Sequence, residues 1–158
     1  SIDFDDDVWI DIAEAIRKKV ELPKWKGART EAELREELAR QLDAHKRPGD
    51  VVHENYDCFS GAGVVIDIYR DETHRGGELI IYETKPGKVS PLDVYQLRLY
   101  WDGLVEDGKQ PTAAILVAKE QTTGTQTVMN FVNSLTDKNG KKYRLEFNSW
   151  DHFGISSL

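Results

Sequence analysis

Apolar residues recur every fourth position near the start of the chain, at Val8, Ile12, Ile16 and Val20. That spacing predicts a helix over about residues 5–21 with one apolar stripe. Asp5, Asp6 and Asp7 fall in its first turn and Arg17, Lys18 and Lys19 in its last, both suited to the helix dipole. Leu22-Pro23-Lys24-Trp25-Lys26-Gly27 reads as a loop. Thr30 and Glu33 then have the spacing of a capping box. They predict a second helix over about 31–45, with Leu34, Leu38 and Leu42 as its buried stripe and Glu33 and Glu37 on one flank of it. Pro48-Gly49-Asp50 breaks the chain.

The period then changes. Val51–Tyr56 predicts a short strand. Gly63–Arg70 and Gly77–Lys85 are β-branched and apolar, and the polar, glycine-bearing segment between them predicts a hairpin. Ser90, Pro91 and Asp93 carry the signals of a helix start. That helix runs to about Glu106, where Asp107-Gly108 stops it. Thr112–Ala118 is a continuous apolar run, as in a strand covered on both faces. Thr122–Leu135 predicts a further helix. Over Lys141–Asn148, Tyr143, Leu145 and Phe147 alternate inward against Arg144 and Glu146. The order α-α-β-β-β-α-β-α-β implies an α/β fold with a mixed central sheet flanked by helices.

At 158 residues the chain fits one domain that buries roughly 70% of its unfolded surface. Hydrophobic residues at 39% and charged residues at 31% exclude a collagenous or disordered class. No apolar run approaches the ~18 residues of a membrane span, and the acidic start lacks the order of a signal peptide. A Ser at position 1 fits a processed chain or a piece of a larger one. The single cysteine, Cys58, excludes an internal disulfide and a cysteine-based zinc cluster, and is compatible with a cytoplasmic protein. The four histidines lack ligand-like spacing. The net charge of -7 comes from 28 acidic and 21 basic residues, but residues 1–14 hold six of the acids and no Lys or Arg. The remaining 22 against 21, a net of -1, no longer speaks against a polyanionic partner.

Asp67 stands out inside the apolar strand Val64–Tyr69. A carboxylate there costs several kcal/mol unless paired or bound to a metal. Glu83 and Lys85 close the next strand and, two apart, point to one face. If the two strands pair as a hairpin, Asp67 and Glu83 face each other. Like carboxylates side by side repel unless a cation lies between them. Oxygen-only donors suit a hard ion, Mg²⁺ or Mn²⁺.

Asp67, then Glu83-Thr84-Lys85 at a strand end, between a helix bearing Glu37 and a following helix, resembles the PD-(D/E)xK nuclease superfamily. The following helix carries Gln96-Leu97-Arg98-Leu99-Tyr100, which resembles the Q-x-x-x-Y motif of the RecB-like branch. Ile66 stands where many members have proline. The resemblance covers about half the chain. It implies a restriction-endonuclease-like α-β-β-β-α-β core over about residues 30–120 of a single domain spanning 1–158. Residues 1–29 would be an N-terminal helical extension and 119–158 a C-terminal extension ending in a strand. It further implies phosphodiester hydrolysis, with DNA the expected partner. Asp67, Glu83 and the Thr84 carbonyl would hold the metal, and Lys85 would position or activate water. Glu37 would extend the metal shell through water, with Glu33 as its substitute if the helix is rotated by one turn. Gln96 and Tyr100 would anchor the site or touch the substrate backbone.

Plainer readings stand beside these. Asp67 could pair with Arg70 or Arg98, Glu83 and Lys85 could be a surface pair, and Glu33 and Glu37 could be a solvated flank. A catalytically impaired nucleic-acid-binding or protein-interaction module on the same fold would look similar. A glycoside hydrolase would use the two acids but leave Lys85 and Q-x-x-x-Y unexplained. For the substrate surface, Arg17, Lys18, Lys19, Lys24, Lys26 and Arg29 surround Trp25, a candidate stacking group. Lys138, Lys141, Lys142 and Arg144 form a second basic cluster, and Lys88 follows the E-x-K strand. The near-neutral balance implies weak DNA binding by the isolated domain, with affinity added by a partner domain or a second subunit.

Overall fold

Thr30 starts the first helix of the computed structural model, which describes residues 29–157. Its hydroxyl accepts the Glu33 amide at 3.1 Å and donates to the Glu33 carboxylate at 3.2 Å. This satisfies one of the free amides at the start of α1 (Glu31–Ala44). Leu34 and Leu38 are buried along this helix, as their spacing predicts. The helix expected over 5–21 lies outside the described residues.

Three strands follow: β1 (Val51–Cys58), β2 (Val64–Asp71) and β3 (Leu79–Thr84). After them come β4 (Lys88–Val89), α2 (Pro91–Glu106), β5 (Ala113–Ala118), β6 (Glu120–Gln121), α3 (Thr123–Asn133) and β7 (Leu145–Ser149). The main sheet has the order β1-β2-β3-β5-β7. β1, β2 and β3 are joined antiparallel, whereas β3, β5 and β7 run parallel. The fold is thus the expected α-β-β-β-α-β core with a mixed sheet and an added C-terminal strand. The short strands β4 and β6 pair as a separate parallel ribbon. Neither is legible in the sequence, because two-residue strands carry no period.

A hydrophobic layer covers each face of the sheet. On one side Leu34 and Leu38 of α1 pack with Ile80, Tyr82, Ile115, Val117 and Trp150. On the other, Leu97, Trp101 and Leu104 of α2 and Met129 of α3 pack with Leu79, Ile81, Ala114 and Leu116. Adjacent residues of β3 and β5 therefore feed opposite cores, which is why both strands read as unbroken apolar runs. Helix α2 approaches closely at Gly103, where a Cβ would come within 2.7 Å of Cys58 Sγ and the Phe59 ring.

One strand departs from simple alternation. Ile66 and Ile68 are two apart and should share a face, yet Ile66 lies in the α2-side core and Ile68 in the α1-side core. The β1–β2 register continues on both sides of this point but omits Asn55 opposite Asp67. Asn55 has φ = 55°, a left-handed conformation that asparagine tolerates better than most residues. The irregularity acts like a bulge, which re-aims side chains where it occurs.

Candidate active site at the fork of β2 and β3

Asp67 sits at that irregularity, and the sheet forks beside it. β2 and β3 are paired from Asp71↔Leu79 to Ile68↔Tyr82. One step further the ladder ends, while β3 stays paired to β5 through Glu83 and Thr84. Across the gap, the Thr84 amide donates to Asp67 Oδ2 at 2.8 Å and the Thr84 hydroxyl donates to the same oxygen at 3.0 Å. The Asp67 carboxylate thus replaces the missing main-chain partner. It does not pair with the arginines considered above: Arg70 contacts Glu72 at 3.1 Å and Arg98 lies 3.7 Å from Asp102.

Glu83 is only 2% exposed. Its Oε2 is buried without a hydrogen-bond partner. Burial, then the adjacent Asp67 carboxylate, raise its pKa to about 9, against lowering by the Tyr100 hydroxyl and Lys85. Such a group is protonated at neutral pH unless a cation joins it. Glu31, at the first position of α1, completes the cluster. Ligand oxygens of Glu31, Asp67 and Glu83 lie within 4.8 Å of one another.

The helix acid that joins the cluster directly is thus Glu31. Neither Glu37 nor Glu33, the expected candidates, belongs to this cluster. At about 100° per residue, they lie roughly 240° and 200° round the helix from Glu31. The Glu33 carboxylate instead takes the Thr30 hydroxyl. Glu31 precedes Leu34 and Leu38 by three and seven residues, so it extends the buried stripe toward the sheet. That spacing was the available signal. The flank position of Glu33 and Glu37 argued for solvent rather than for the site.

Lys85 follows the last residue of β3. Its ammonium lies 3.9 Å from Asp93 Oδ1, in the first turn of α2, where Asp93 also accepts the Ser90 amide at 2.7 Å. On the same helix the Gln96 side-chain amide donates to the Tyr100 hydroxyl at 2.7 Å. Tyr100 is buried and its pKa is raised, first by burial and then by Glu83. The four-residue spacing thus links solvent-exposed Gln96 through buried Tyr100 to Glu83. Oxygen-only donors, a buried orphan oxygen and three convergent carboxylates fit a hard divalent cation.

The basic clusters are less favourable than the site. Lys138 pairs with Glu106 at 2.6 Å, Arg144 with Glu146 at 2.9 Å and Lys88 with Glu120 at 3.7 Å. Arg17, Lys18, Lys19, Lys24, Trp25 and Lys26 lie outside the described residues. No described helix is long and apolar enough to cross a membrane.

No protein-family model and no curated protein matches this chain. Among solved structures, the chain is similar to a repair endonuclease from Pyrococcus abyssi, with 20% identity and a TM-score of 0.54 over 77% of this chain and 46% of that one. It is also similar to EndoMS in a complex with double-stranded DNA, with 23% identity and a TM-score of 0.53 over 76% of this chain and 44% of that one. The likeness is one of fold, and the chain spans less than half the length of either protein.

Proposed function

We propose that the chain is a metal-dependent nuclease domain that hydrolyses phosphodiester bonds in DNA. The observation that carries this reading is the buried Glu83 carboxylate, with an orphan oxygen, clustered with Asp67 and Glu31 and two residues before Lys85. The fold likeness to a repair endonuclease and to a protein bound to double-stranded DNA supports the choice of substrate. Asp67, Glu83 and Glu31, with the Thr84 carbonyl, would hold Mg²⁺ or Mn²⁺. Such an ion, when bound, polarises a phosphate and lowers the pKa of water. Lys85 holds a positive charge where the scissile phosphate would gain negative charge and can orient the attacking water. Tyr100 fixes the orientation of Glu83, and Gln96 fixes that of Tyr100. This use of Q-x-x-x-Y supports assignment to the RecB-like branch of the PD-(D/E)xK superfamily. We place the nuclease core of a single nuclease-like domain at about residues 30–120. A partner domain or second subunit would add DNA affinity.

The test is incubation with plasmid, linear duplex, single-stranded DNA and RNA, each with Mg²⁺, Mn²⁺ or EDTA. Asp67→Ala and Lys85→Ala are assayed in parallel. Metal-dependent cleavage of DNA, lost in EDTA and in both variants, is the expected result. Cleavage that survives EDTA or both substitutions refutes the mechanism. DNA retention without any cleavage assigns the chain to the binding module instead.

A further inference from the structure

Lys85 is held by its backbone as well as by the strand it ends. Its amide donates to the Val117 carbonyl at 2.9 Å. Its carbonyl accepts the indole N–H of Trp150, also at 2.9 Å. Pro86 follows and restricts the Lys85 backbone to extended conformations. Three constraints thus act on one residue, and two of them come from the sheet neighbour and from the C-terminal segment. Trp150 is itself deeply buried. It is 1% exposed and packs with Leu34, Leu38, Tyr82 and Val117. It opens the 3₁₀ turn Trp150–Phe153, where its carbonyl accepts the Ile155 amide at 3.1 Å. Ser149, just before it, caps that turn by accepting the His152 amide at 3.3 Å.

We infer that Trp150 is a positioning residue for Lys85: its indole N–H fixes the backbone at the end of the E-x-K strand, and with it the direction in which the Lys85 side chain leaves the sheet. The inference rests on the nuclease reading for its consequence and on the Trp150–Lys85 hydrogen bond for its geometry. It also gives the segment after residue 119, which lies outside the resembling core, a part in the site. A long side chain anchored only by packing samples several rotamers. A backbone clamp at its root leaves the side-chain torsions free but fixes the point and direction from which they start, and a 1 Å misplacement of a reacting group can cost up to ~10²-fold in rate.

Two variants test it. Trp150→Phe keeps an aromatic ring and removes the donor. Site-specific replacement of the Trp150 indole by benzothiophene keeps the full bicyclic shape and places sulfur where the N–H was. In both, kcat for DNA cleavage is expected to fall about 10-fold, with KM for DNA and the Mg²⁺ half-saturation within about twofold of wild type. In the benzothiophene protein Tm should stay within about 3 °C of wild type, which corresponds to loss of one hydrogen bond. Unchanged kcat in the benzothiophene protein overturns the inference. A parallel loss of kcat, Mg²⁺ affinity and Tm also overturns it, since that pattern marks a role in stability alone. If the wild type cleaves nothing, the nuclease reading fails by itself. The clamp is then read from the side-chain resonances of Lys85 in a selectively labelled protein: they should broaden or shift on benzothiophene replacement, and identical resonances refute the clamp.

Discussion

Two carboxylates buried at opposite ends of the β2–β3 hairpin behave in opposite ways. The Asp50 side chain and Glu83 are each 2% exposed. Asp50 is fully served by the protein: Arg75 Nε donates at 2.9 Å, His74 Nε2 lies at 2.6 Å and the Arg47 amide donates at 2.9 Å. Its pKa is held far below the usual range, chiefly by the hydrogen bond from Arg75. Glu83 has a second carboxylate beside it and an oxygen with no partner, and its pKa rises to about 9. The same burial therefore marks a structural tie at one end and a carboxylate left short of donors at the other. What separates them is the count of donors supplied by the chain.

The contrast can be broken most severely at the site. Glu83→Gln and Asp67→Ala should each lower DNA cleavage by at least about 10³-fold, the scale expected when metal chemistry is lost. Asp50→Asn should leave kcat within about twofold, because it lies outside the cluster. A wild-type rate in Glu83→Gln would end the distinction. Tyr100→Phe removes only the hydroxyl that steadies Glu83. It should raise the Mg²⁺ half-saturation about 10-fold, as for other groups that orient a metal ligand. Titration of activity against Mg²⁺ checks this, and an unshifted curve would detach Tyr100 from the site.

The two ends should also separate by pH. Glu83 has a raised pKa, so the metal-free fold is favoured while Glu83 keeps its proton. The contribution is complete below the unfolded value of 4.5 and is lost as pH rises toward about 9. Asp50 has a lowered pKa, so its contribution is present above 3.8 and lost as pH falls further. In EDTA, Tm at pH 8.5 should therefore be higher in Glu83→Gln than in wild type, by about 5 °C. Saturating Mn²⁺ should stabilise only the wild type. Equal alkaline Tm values in EDTA would mean that Glu83 is not held protonated. At the other end, Asp50→Asn should lower Tm at pH 7 by about 5 °C and flatten the acid limb of the stability curve.

A packing test places both ends on one scaffold. Gly103→Ala forces a methyl against Cys58 and Phe59. Overpacking of this kind costs about 1–3 kcal/mol, readable by urea unfolding. Since α2 also carries Gln96 and Tyr100, the Mg²⁺ half-saturation should shift with it if the helix moves.

Much of this was legible in the amino-acid order. Apolar spacing and the start and stop signals placed α1, α2 and α3 to within two residues, and the unbroken run at 112–118 announced a strand covered on both faces. Asp67 was conspicuous because a lone acid in an apolar strand demands an explanation. Glu83 and Lys85 were named from their place at a strand end, and Gln96 and Tyr100 from the family resemblance; the structure brings Glu83 beside Asp67 and Tyr100 against Glu83. Other features had a weak local signal or none. Glu31 had only its spacing to Leu34 and Leu38, and four glutamates share that helix, so which of them reaches the sheet depends on the rotation of the helix about its axis. Trp150 is 65 positions from Lys85, and a hydrogen bond across that separation leaves no trace in either segment.

The sequence by itself determined which residues avoid water, where helices start and stop, and which polar groups sit where solvation would be lost. These follow from side-chain chemistry and from the periods of helix and strand, and both are properties of short stretches. Only the tertiary structure decided that the β2–β3 ladder ends at Asp67, that Asn55 takes a left-handed turn opposite it, and that α1 presents Glu31 there. It alone also decided that Asp50 receives every donor it needs while Glu83 is left short. Those outcomes depend on register and helix rotation, which are set by the packing of distant segments against one another.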